Sequence, residues 1–464
     1  MAVMSSPQTI LQQALALHRK GDAAAAEPLY RAVLAGQPGH DEAAHNLGTL
    51  LAQRGAHAEA LAQFQTALKS QPGVGQYWLS YADALLVTGH PREAHIVLSR
   101  GQQRGLKGPA VDALLRKAEA ALAPTDEDQE LELATNHAMQ GRVGDAIAAY
   151  RALLAAAPDH AEAHFRLASI LSETGQVAEG FAHYMRRAHL VHDGPAKNTG
   201  KPEPAHRTKH DREQAEYLLR ELGLPASSAL PFHLEDGERL SGPAVNPANA
   251  MPALIERWTD SWPQLVVIDD FLTQAALRKL QLYCAGSTIW RRNYEAGYIG
   301  ATPEDGLACP LMAQIAEEIS ATFPEMIGGH AFRYLGAFKY DSELSTGTNT
   351  HVDNSAVNVN FYIAPDEANL DPESGGMDIW NVALPPGEDM RKYNGDEAAA
   401  RDFLARSNAV LTRIPHRCNR AVIFKSDLFH KTSDCRFREG YLNKRINVSL
   451  LFGHHGEATR NRPV

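Results

Sequence analysis

The chain has 464 residues, which exceeds what one hydrophobic core usually organises, so we expect at least two domains. Hydrophobic residues make up 44% and charged residues 22%, a composition typical of a folded globular protein and unlike that of a disordered or membrane-embedded chain. With 45 basic and 55 acidic side chains the net charge is −10, and no block of Arg or Lys interrupts this background. The charge therefore argues against nucleic acid as a partner.

The cysteines and the start of the chain bear on its compartment. No CxxC pair is formed by the four cysteines Cys284, Cys309, Cys418 and Cys435. Neither a disulfide framework nor a zinc ribbon is expected, and a reducing cytoplasm is the simplest compartment. The start, MAVMSSPQTILQQ, lacks a basic region followed by an apolar run, and no uncharged apolar stretch reaches about 20 residues. The sequence therefore predicts neither a signal peptide nor a membrane interaction.

The aromatic residues are distributed unevenly. Only 9 of the 33 lie in the first 190 residues. That part is rich in Ala and Leu, which favour helices, whereas the remainder carries the β-branched and aromatic residues that favour strands. We expect a helical domain followed by a β-rich one.

The N-terminal part repeats with a period of 34 residues. The aligned positions are Ala26, Ala60 and Ala94, then Tyr30, Phe64 and Leu98, then Pro38 and Pro72. After an inserted helical stretch near 110–123 the spacing returns, aligning Ala146 with Gly180 and Tyr150 with Tyr184. Each unit is predicted to contain two amphipathic helices, with turns at Gly21, Gly55, Gly89, Gly141 and Gly175. We expect about five units over residues 7–190.

This pattern of small residue, aromatic and closing proline resembles tetratricopeptide repeats. The resemblance implies an all-α solenoid, in which units stack because none can bury its apolar face alone, and a concave surface that binds a peptide or protein. The alternative is that the array only braces the rest of the chain or forms a homo-oligomer.

Residues 191–254 are rich in Pro, Gly and Asn and are predicted to be a linker with one docked helix, DREQAEYLLRELGL. The apolar side of this helix is predicted to contain Leu218, Leu219 and Leu222. We interpret the cluster of His206, Arg207, Lys209 and His210 as the solvated, basic start of this helix.

From residue 255 the pattern changes to short strands. The best-marked strand segments are PQLVVIDDFL, the stretch 330–340, VNVNFYI, SGGMDIWNV, RAVIFKSD and RINVSLLFG. Two helices, TQAALRKLQLYC and LMAQIAEEISATF, lie between the first two of them. This order predicts a β-sandwich or small barrel with helices outside it.

A metal site is predicted in this β-region. His351 and Asp353 are two residues apart, so on an extended segment both side chains point to one face. His430, at the end of the apolar strand AVIFKSDLFH, is the best-placed third ligand. Two imidazoles and one carboxylate leave three positions of an octahedral ion open, as in non-haem Fe(II) oxygenases.

Two strands predict a polar cavity. RINVSL alternates Arg445, Asn447 and Ser449 with apolar residues, and VNVNFYI places Asn358, Asn360 and Tyr362 on one face. A charged residue that enters a β-core needs an anionic partner.

HVDN, the glycine pair of SGGMDIW, the HK after an apolar strand and the Arg of RINVSL together resemble the Fe(II)- and 2-oxoglutarate-dependent dioxygenases, in particular their prolyl-hydroxylase-like branch, over residues 255–455. The resemblance implies a double-stranded β-helix, a jelly-roll or cupin-like fold, with flanking helices. It implies that Fe(II) is bound by His351, Asp353 and His430, with no catalytic side chain beyond this centre, and that ascorbate is the reductant. The implied contacts of 2-oxoglutarate are Arg445, which pairs with its distal carboxylate, and Tyr340, Asn360, Tyr362 and Asn447.

One spacing departs from that pattern. Arg445 follows His430 by fifteen residues, which is longer than is usual in prolyl hydroxylases. The competing anion partners are Lys431, Arg436 and Arg438. Arg445 is preferred because its alternation puts it on an inward-facing strand.

These observations lead to one main hypothesis and several alternatives. The main one is an iron dioxygenase that hydroxylates a protein or peptide side chain, with the repeats recruiting the substrate or a partner. A second is an oxygenase of a small molecule or free amino acid, with the repeats as a scaffold. The others are a non-catalytic tetratricopeptide adaptor and a zinc enzyme of cupin type.

Overall fold

The computed structural model describes residues 6–122, 125–193, 203–224, 232–345 and 347–456. The chain divides into two compact units, Met1–Asp126 and Glu127–Val464. Within the described ranges, no helix is both long enough and apolar enough to cross a membrane.

The first unit is helical. Its described helices are α1 Pro7–Arg19, α2 Ala23–Gly36, α3 Asp41–Gln53, α4 His57–Ser70, α5 Gly75–Val87, α6 Pro91–Gln103 and α7 Pro109–Leu122. The first six form three antiparallel pairs, and α7 is the inserted helix that the sequence predicts. The turns within the pairs are at Gly21, Gly55 and Gly89, whose φ angles of 80°, 79° and 77° are left-handed and suit glycine.

The repeated small and aromatic positions form the core of each pair. Ala26, Ala60 and Tyr30 are fully buried. The third pair lacks the usual aromatic, and there Leu98 packs instead with Val111 of α7. The inserted helix thus covers an apolar face that a further repeat would otherwise cover.

The second unit begins with two more helix pairs and then a longer helix. These are α8 Asp126–Met139, α9 Val143–Ala156, α10 Ala161–Glu173, α11 Val177–His192 and α12 Ala205–Leu222. Their turn glycines, Gly141 and Gly175, also have left-handed φ angles, 72° and 88°. The described residues therefore contain the five predicted helix pairs.

The last pair shares a hydrophobic core with the β-rich region. The rings of Phe181 and Phe332 lie 5.6 Å apart. Arg333 forms an ion pair with Glu173 at 2.8 Å, and Arg187 donates a hydrogen bond of 3.0 Å to the carbonyl of Glu304. The sequence-based bounds are 7–190, 191–254 and 255–455, whereas the compact unit that contains the β-rich region starts at Glu127 and includes this pair.

Helix α12 docks mainly through polar side chains, and the predicted apolar side is wrong for Leu219 and Leu222, whereas Leu218 is buried. Leu219 and Leu222 are 50% and 38% exposed. The buried side chains are Arg207, His210, Gln214 and Leu218. The predicted solvated state is therefore wrong for Arg207 and His210.

The surface beneath α12 explains this reversal. Gln214 donates a hydrogen bond of 3.0 Å to the carbonyl of Ser287, and Arg207 donates one of 2.9 Å to the side-chain oxygen of Asn293 and another to the carbonyl of Trp290. This surface presents backbone and amide acceptors, which supply hydrogen bonds to the polar side chains of Gln214 and Arg207 that dock on it.

The rest of the second unit is β-rich with flanking helices. Its strands are β1 Leu265–Ile268, β2 Arg292–Asn293, β3 Tyr298–Ala301, β4 Phe332–Tyr340, β5 Val357–Tyr362, β6 Met377–Ala383, β7 Leu411–Ile414, β8 Ala421–Lys425, β9 Leu428–Thr432 and β10 Arg445–Phe452. Its helices are α13 Pro252–Asp260, α14 Gln274–Gly286, α15 Pro310–Thr322, α16 Pro324–Ile327, α17 Arg391–Asn394 and α18 Glu397–Arg406.

The strands form two antiparallel sheets. The larger has the order β1-β8-β5-β10-β4-β3-β2, and the smaller has the order β7-β6-β9. Apolar side chains of both sheets meet in one cluster that includes Phe424 of the larger sheet and Ile379 of the smaller. The predicted sequence of a helical solenoid followed by a β-rich region is therefore confirmed.

Gly180 tests the packing of the last helix pair. A methyl group at this position would lie 2.7 Å from the carbonyl oxygen of Ala168 on the facing helix. We expect Gly180→Ala to lower the free energy of unfolding by about 1–3 kcal/mol, because the backbone of α10 leaves no room for it. Gly144→Ala is the matched control in α9, where no atom lies within 4 Å, and it is expected to be neutral or to stabilise by up to about 1 kcal/mol. Urea unfolding measures both, and equal effects would contradict this packing.

Candidate metal centre

Two backbone hydrogen bonds join the segments that carry the predicted ligands. The N–H of His351 donates to the carbonyl of His430 and the N–H of His430 donates to the carbonyl of His351, both at 2.9 Å. The N–H of Asp353 donates to the carbonyl of Ser426 at 2.9 Å. The segment before β5 is thus fixed alongside β9 and the turn that precedes it, which brings two distant parts of the sequence together.

One detail of the sequence prediction is wrong. The stretch AVIFKSDLFH is not one strand that ends at His430, because a turn at Ser426 and Asp427 divides it into β8 and β9. β8 belongs to the larger sheet and β9 to the smaller, and His430 lies in the middle of β9. The chain crosses between sheets immediately before the histidine.

The three predicted ligands lie together. Nε2 of His430 is 3.3 Å from Oδ2 of Asp353, and Nε2 of His351 is 4.0 Å from Oδ1 of the same carboxylate. One ligand atom from each residue lies within 4.8 Å of the others, and among the described residues this is the group that could hold a metal ion. Such a spacing allows all three to bind one ion.

The surrounding hydrogen bonds orient these ligands. Nδ1 of His351 donates to the carbonyl of Asn349 at 2.7 Å, and Nδ1 of His430 donates to the carbonyl of Leu428 at 2.9 Å. Since a carbonyl only accepts, the neutral form of each ring has its proton on Nδ1 and its lone pair on Nε2, the atom that faces Asp353. Asn358 donates a hydrogen bond of 2.7 Å to Oδ2 of Asp353. Two Nε2 lone pairs and one carboxylate match the donor set of mononuclear non-haem iron sites.

The local electrostatics keep these groups ready to bind a cation. Burial alone would raise the pKa of Asp353, but the hydrogen bond and charge that the His430 ring offers in its protonated form, with the charge of protonated His351 and the Asn358 hydrogen bond, lower it to about 2. Burial lowers the pKa of His351, and the neighbouring His430 adds to this effect. At neutral pH the carboxylate is therefore ionised and the His351 imidazole is neutral, as metal binding requires.

A cavity of about 490 Å³ opens beside the three ligands. One part of its wall is polar and includes Asn358, Asn360, Asn447, Ser449, Thr348 and Thr432. Another part is aromatic and consists of Tyr294, Tyr298, Tyr334, Phe338 and Tyr340. The volume lies within the range of about 300–1,000 Å³ that is usual for small-molecule sites.

The predicted co-substrate contacts divide into two groups. Tyr340, Asn360 and Asn447 line the cavity. Arg445 and Tyr362 do not, since they lie behind its wall and are 2% and 0% exposed. Of the competing cations, Arg436 and Arg438 are exposed at the surface and Lys431 is partly exposed.

Arg445 is held by carbonyls and aromatic rings. It donates hydrogen bonds to the carbonyls of Gly375 and Gly376, at 2.6 and 3.1 Å, and to the side-chain oxygen of Asn447 at 2.6 Å. Its guanidinium carbon lies 4.7 Å from the centre of the Tyr340 ring and 5.2 Å from that of Tyr362. Among the described residues, no carboxylate forms an ion pair with it. The glycine pair of SGGMDIW thus supplies the acceptors that hold this arginine.

The structure adds residues that the sequence interpretation missed. The Tyr298 ring stacks on that of Tyr340 at 4.7 Å, and Tyr294 stacks on Tyr298 at 4.5 Å. The hydroxyl of Thr432 lies 3.4 Å from that of Tyr340. The period of two along β4 could have indicated Tyr334 and Phe338, whereas no sequence pattern indicates that β3 pairs with β4.

Comparison with protein families identifies the helical part. Two models described as tetratricopeptide repeat match, one over residues 11–75 and 131–189 and the other over residues 51–118. Residues 11–118 and 131–189 are tetratricopeptide repeats. Such repeats generally serve protein interaction.

Solved structures that match include other tetratricopeptide proteins. YrrB, described as having an unusual peptide-binding site, is 16% identical over 40% of this chain and 86% of its own, with a TM-score of 0.20. A thermophilic tetratricopeptide protein of Thermus thermophilus is 20% identical over 40% of this chain and 92% of its own, with a TM-score of 0.19. The TPR2B domain of yeast Sti1, in a complex with pHsp70, is 18% identical over 25% of this chain and 96% of its own, with a TM-score of 0.23. Among curated proteins no match is found.

Proposed function

We propose that the chain is an Fe(II)- and 2-oxoglutarate-dependent dioxygenase that hydroxylates a protein or peptide side chain and uses its tetratricopeptide array to recruit the substrate. The observation that carries the proposal is the group His351, Asp353 and His430, which opens onto a cavity and has a buried arginine nearby. The two facing antiparallel sheets agree with a double-stranded β-helix, the fold implied by the sequence.

The proposed metal role follows from the chemistry of the donor set. His351 and His430 would bind through Nε2, because their Nδ1 atoms are engaged with carbonyls, and Asp353 would supply the negative charge. When bound, Fe(II) supplies the activation of dioxygen that couples hydroxylation to the decarboxylation of 2-oxoglutarate to succinate. The hydrogen bond from Asn358 keeps the carboxylate oriented toward the imidazoles.

The proposed co-substrate site adjoins Tyr340. This tyrosine lines the cavity on one side and contacts the Arg445 guanidinium on the other. We assign direct contact with the distal carboxylate of 2-oxoglutarate to the hydroxyls of Tyr340 and Thr432, and charge balance to Arg445. A buried cation without a paired acid attracts an anion strongly, since little water screens it.

Asp353→Asn tests the metal centre. We expect this variant to lose at least tenfold in affinity for Fe(II) or Co(II), and to form no succinate from 2-oxoglutarate, because one anionic ligand is gone while the shape is kept. Calorimetry with Co(II) and a succinate assay under iron and ascorbate measure the two effects.

Asp427→Asn is the matched control for this variant. Asp427 lies in the turn three residues before His430 but is not among the three ligand residues. It should leave metal affinity and succinate formation intact. A wild-type chain that binds metal but forms no succinate would favour the adaptor or zinc-enzyme alternatives, and equal metal affinity in both variants would contradict the proposed ligand set.

Arg445→Gln tests the co-substrate site. A lost charged interaction of about 1.5–3 kcal/mol corresponds to a rise of roughly 10- to 100-fold in KM for 2-oxoglutarate. Co(II) affinity should stay unchanged, because no ligand atom is removed. Arg438→Gln, at an exposed position, is the control and should leave KM unchanged. A loss of folding in Arg445→Gln would be detected by thermal unfolding, and Arg445→Lys, which keeps the charge, should then have the smaller KM effect.

The surface proposed for recruitment lies in the first unit. A groove of about 740 Å³ there is lined by the aromatic side chains of Trp78 and Tyr81 and by the exposed cations Lys69, Arg100 and Arg104, with no acid among its described lining residues. The Arg104 guanidinium lies 5.7 Å from the Trp78 ring centre. Cations beside aromatic rings suit an acidic segment that carries apolar side chains.

The double variant Arg100→Glu/Arg104→Glu tests recruitment by the full-length chain. In a cell lysate supplied with iron, ascorbate and 2-oxoglutarate, the wild-type enzyme is expected to add one oxygen atom to its protein substrates, as measured by mass spectrometry. With the double variant we expect this oxygenation to be lost, while the succinate formed in the absence of a protein substrate stays the same. Arg19→Glu/Arg116→Glu is the control, since it changes the net charge equally at exposed positions outside the groove. If lysate proteins still gain oxygen with Arg100→Glu/Arg104→Glu, the array acts as a scaffold and does not recruit the substrate. If no lysate protein gains oxygen even with the wild-type chain, a small-molecule substrate is favoured.

A further inference from the structure

A second cavity lies in the β-rich unit, on the other face of the larger sheet. Its volume is about 310 Å³, and much of its wall is apolar, with Leu282, Ala285, Ile363, Leu442 and Ile446. This volume is near the lower end of the range of about 300–1,000 Å³ found for small-molecule sites.

The pairing of β4 with β10 separates this cavity from the candidate metal centre. Arg445 pairs with Tyr340, and the next pair is Ile446 with Lys339. Because successive side chains of a strand point to opposite faces, Lys339 and Ile446 face away from the metal centre. Lys339 lines the second cavity and is absent from the lining of the first.

Lys339 is buried, and its described neighbours do not include an acidic side chain that pairs with it. It is 3% exposed, and its Nζ lies 3.9 Å from the centre of the Tyr441 ring and 4.7 Å from that of Trp290. Among the described residues, no carboxylate pairs with it. The two nearby acids, Asp341 and Glu213, form ion pairs with Lys444 instead.

The ring above Lys339 is held in place. The Tyr441 hydroxyl accepts a hydrogen bond of 2.9 Å from Gln214 and donates one of 2.8 Å to the carbonyl of Ala285. The cavity wall next to the ammonium is therefore rigid before any ligand arrives, which lowers the entropic cost of binding.

The charged side chains that line the cavity are all basic. Its described lining contains three cations, Lys339, Lys444 and the exposed Arg278, and no acid, although the chain as a whole has a net charge of −10. We propose that this cavity binds a small amphipathic carboxylate, whose head group pairs with Lys339 and whose apolar body packs against Leu282, Ile363 and Ile446. A carboxylate would supply the anionic partner that Lys339 lacks within the fold.

The electrostatics of the cavity support this choice of head group. Burial lowers the pKa of Lys339 to about 7, so an anion that binds beside it favours the ammonium form and draws in a proton. Burial keeps the facing groups neutral near that pH, because it raises the pKa of Cys284 to about 12, raises that of Tyr441 and lowers that of His210 to about 3. Lys444 and Glu213, which also face it, are paired with each other. Binding should therefore weaken as the pH rises from 7 to 9.

Calorimetry of the full-length chain with octanoate tests the proposal. We expect saturable binding of octanoate, at least tenfold weaker binding of octanol and of octylammonium, and affinity that falls with rising pH. Lys339→Met, which keeps an unbranched side chain but removes the amino group, should lose at least tenfold in octanoate affinity and lose the pH dependence. Octanoate that binds no better than octanol would overturn the proposal.

Two variants at the cavity rim provide a second test in case Lys339→Met does not fold. Leu282 lines the cavity but is 58% exposed, so charged residues are tolerated there. Leu282→Glu should weaken octanoate binding severalfold, and Leu282→Lys should keep or strengthen it. Equal affinities in the two variants would overturn the proposal. Neither variant alters a metal ligand, so the outcome is independent of whether the chain forms succinate.

Discussion

The reciprocal backbone hydrogen bonds between His351 and His430 are the constraint on which the candidate site depends. They connect the segment before β5, a strand of the larger sheet, to β9 in the smaller sheet. Two residues separated by 79 positions are thereby held with ring centres 4.3 Å apart. Because side chains two residues apart on an extended segment point to the same face, Asp353 then lies beside His351 and completes the group of three side chains. Side-chain packing alone would not fix the distances to the precision that a metal centre requires.

The pairing of β4 with β10 carries buried cations on both faces of the larger sheet. Arg445 lies beside two tyrosine rings on one face, and Lys339 lies beside Tyr441 and Trp290 on the other. Aromatic faces compensate part of the desolvation cost of a cation without cancelling its charge. Each cation therefore remains able to attract an anion, which an ion pair with an acid of the fold would prevent. The same sheet is therefore the proposed location of two anion sites with different shapes.

The sequence predicted the features that follow from local periodicity. The five repeats could be predicted because glycine turns and small residues recur every 34 positions, and the proximity of His351 to Asp353 could be predicted because both share one face of an extended segment. The polar docking face of α12 could not be predicted, because it depends on hydrogen-bond acceptors of Ser287 and Asn293, which are distant in sequence. The break between β8 and β9 was missed because Ser426 and Asp427 interrupt an apolar run without glycine or proline. The stacking of Tyr298 on Tyr340 depends on strand pairing, which no single segment encodes.

The two roles considered for the repeat array, bracing the β-rich region and the proposed recruitment of substrate, concern different repeats. The last pair, α10 and α11, contributes Phe181 to the core of the β-rich unit and pairs Glu173 with Arg333, so its role in bracing that unit follows from its contacts. The groove with Trp78, Arg100 and Arg104 belongs to the other compact unit, and its cations are exposed. Removing α10 and α11 should therefore disrupt the β-rich unit before it affects recruitment, whereas charge reversal in the groove should affect recruitment alone. Bracing and recruitment are compatible because no residue has to perform both.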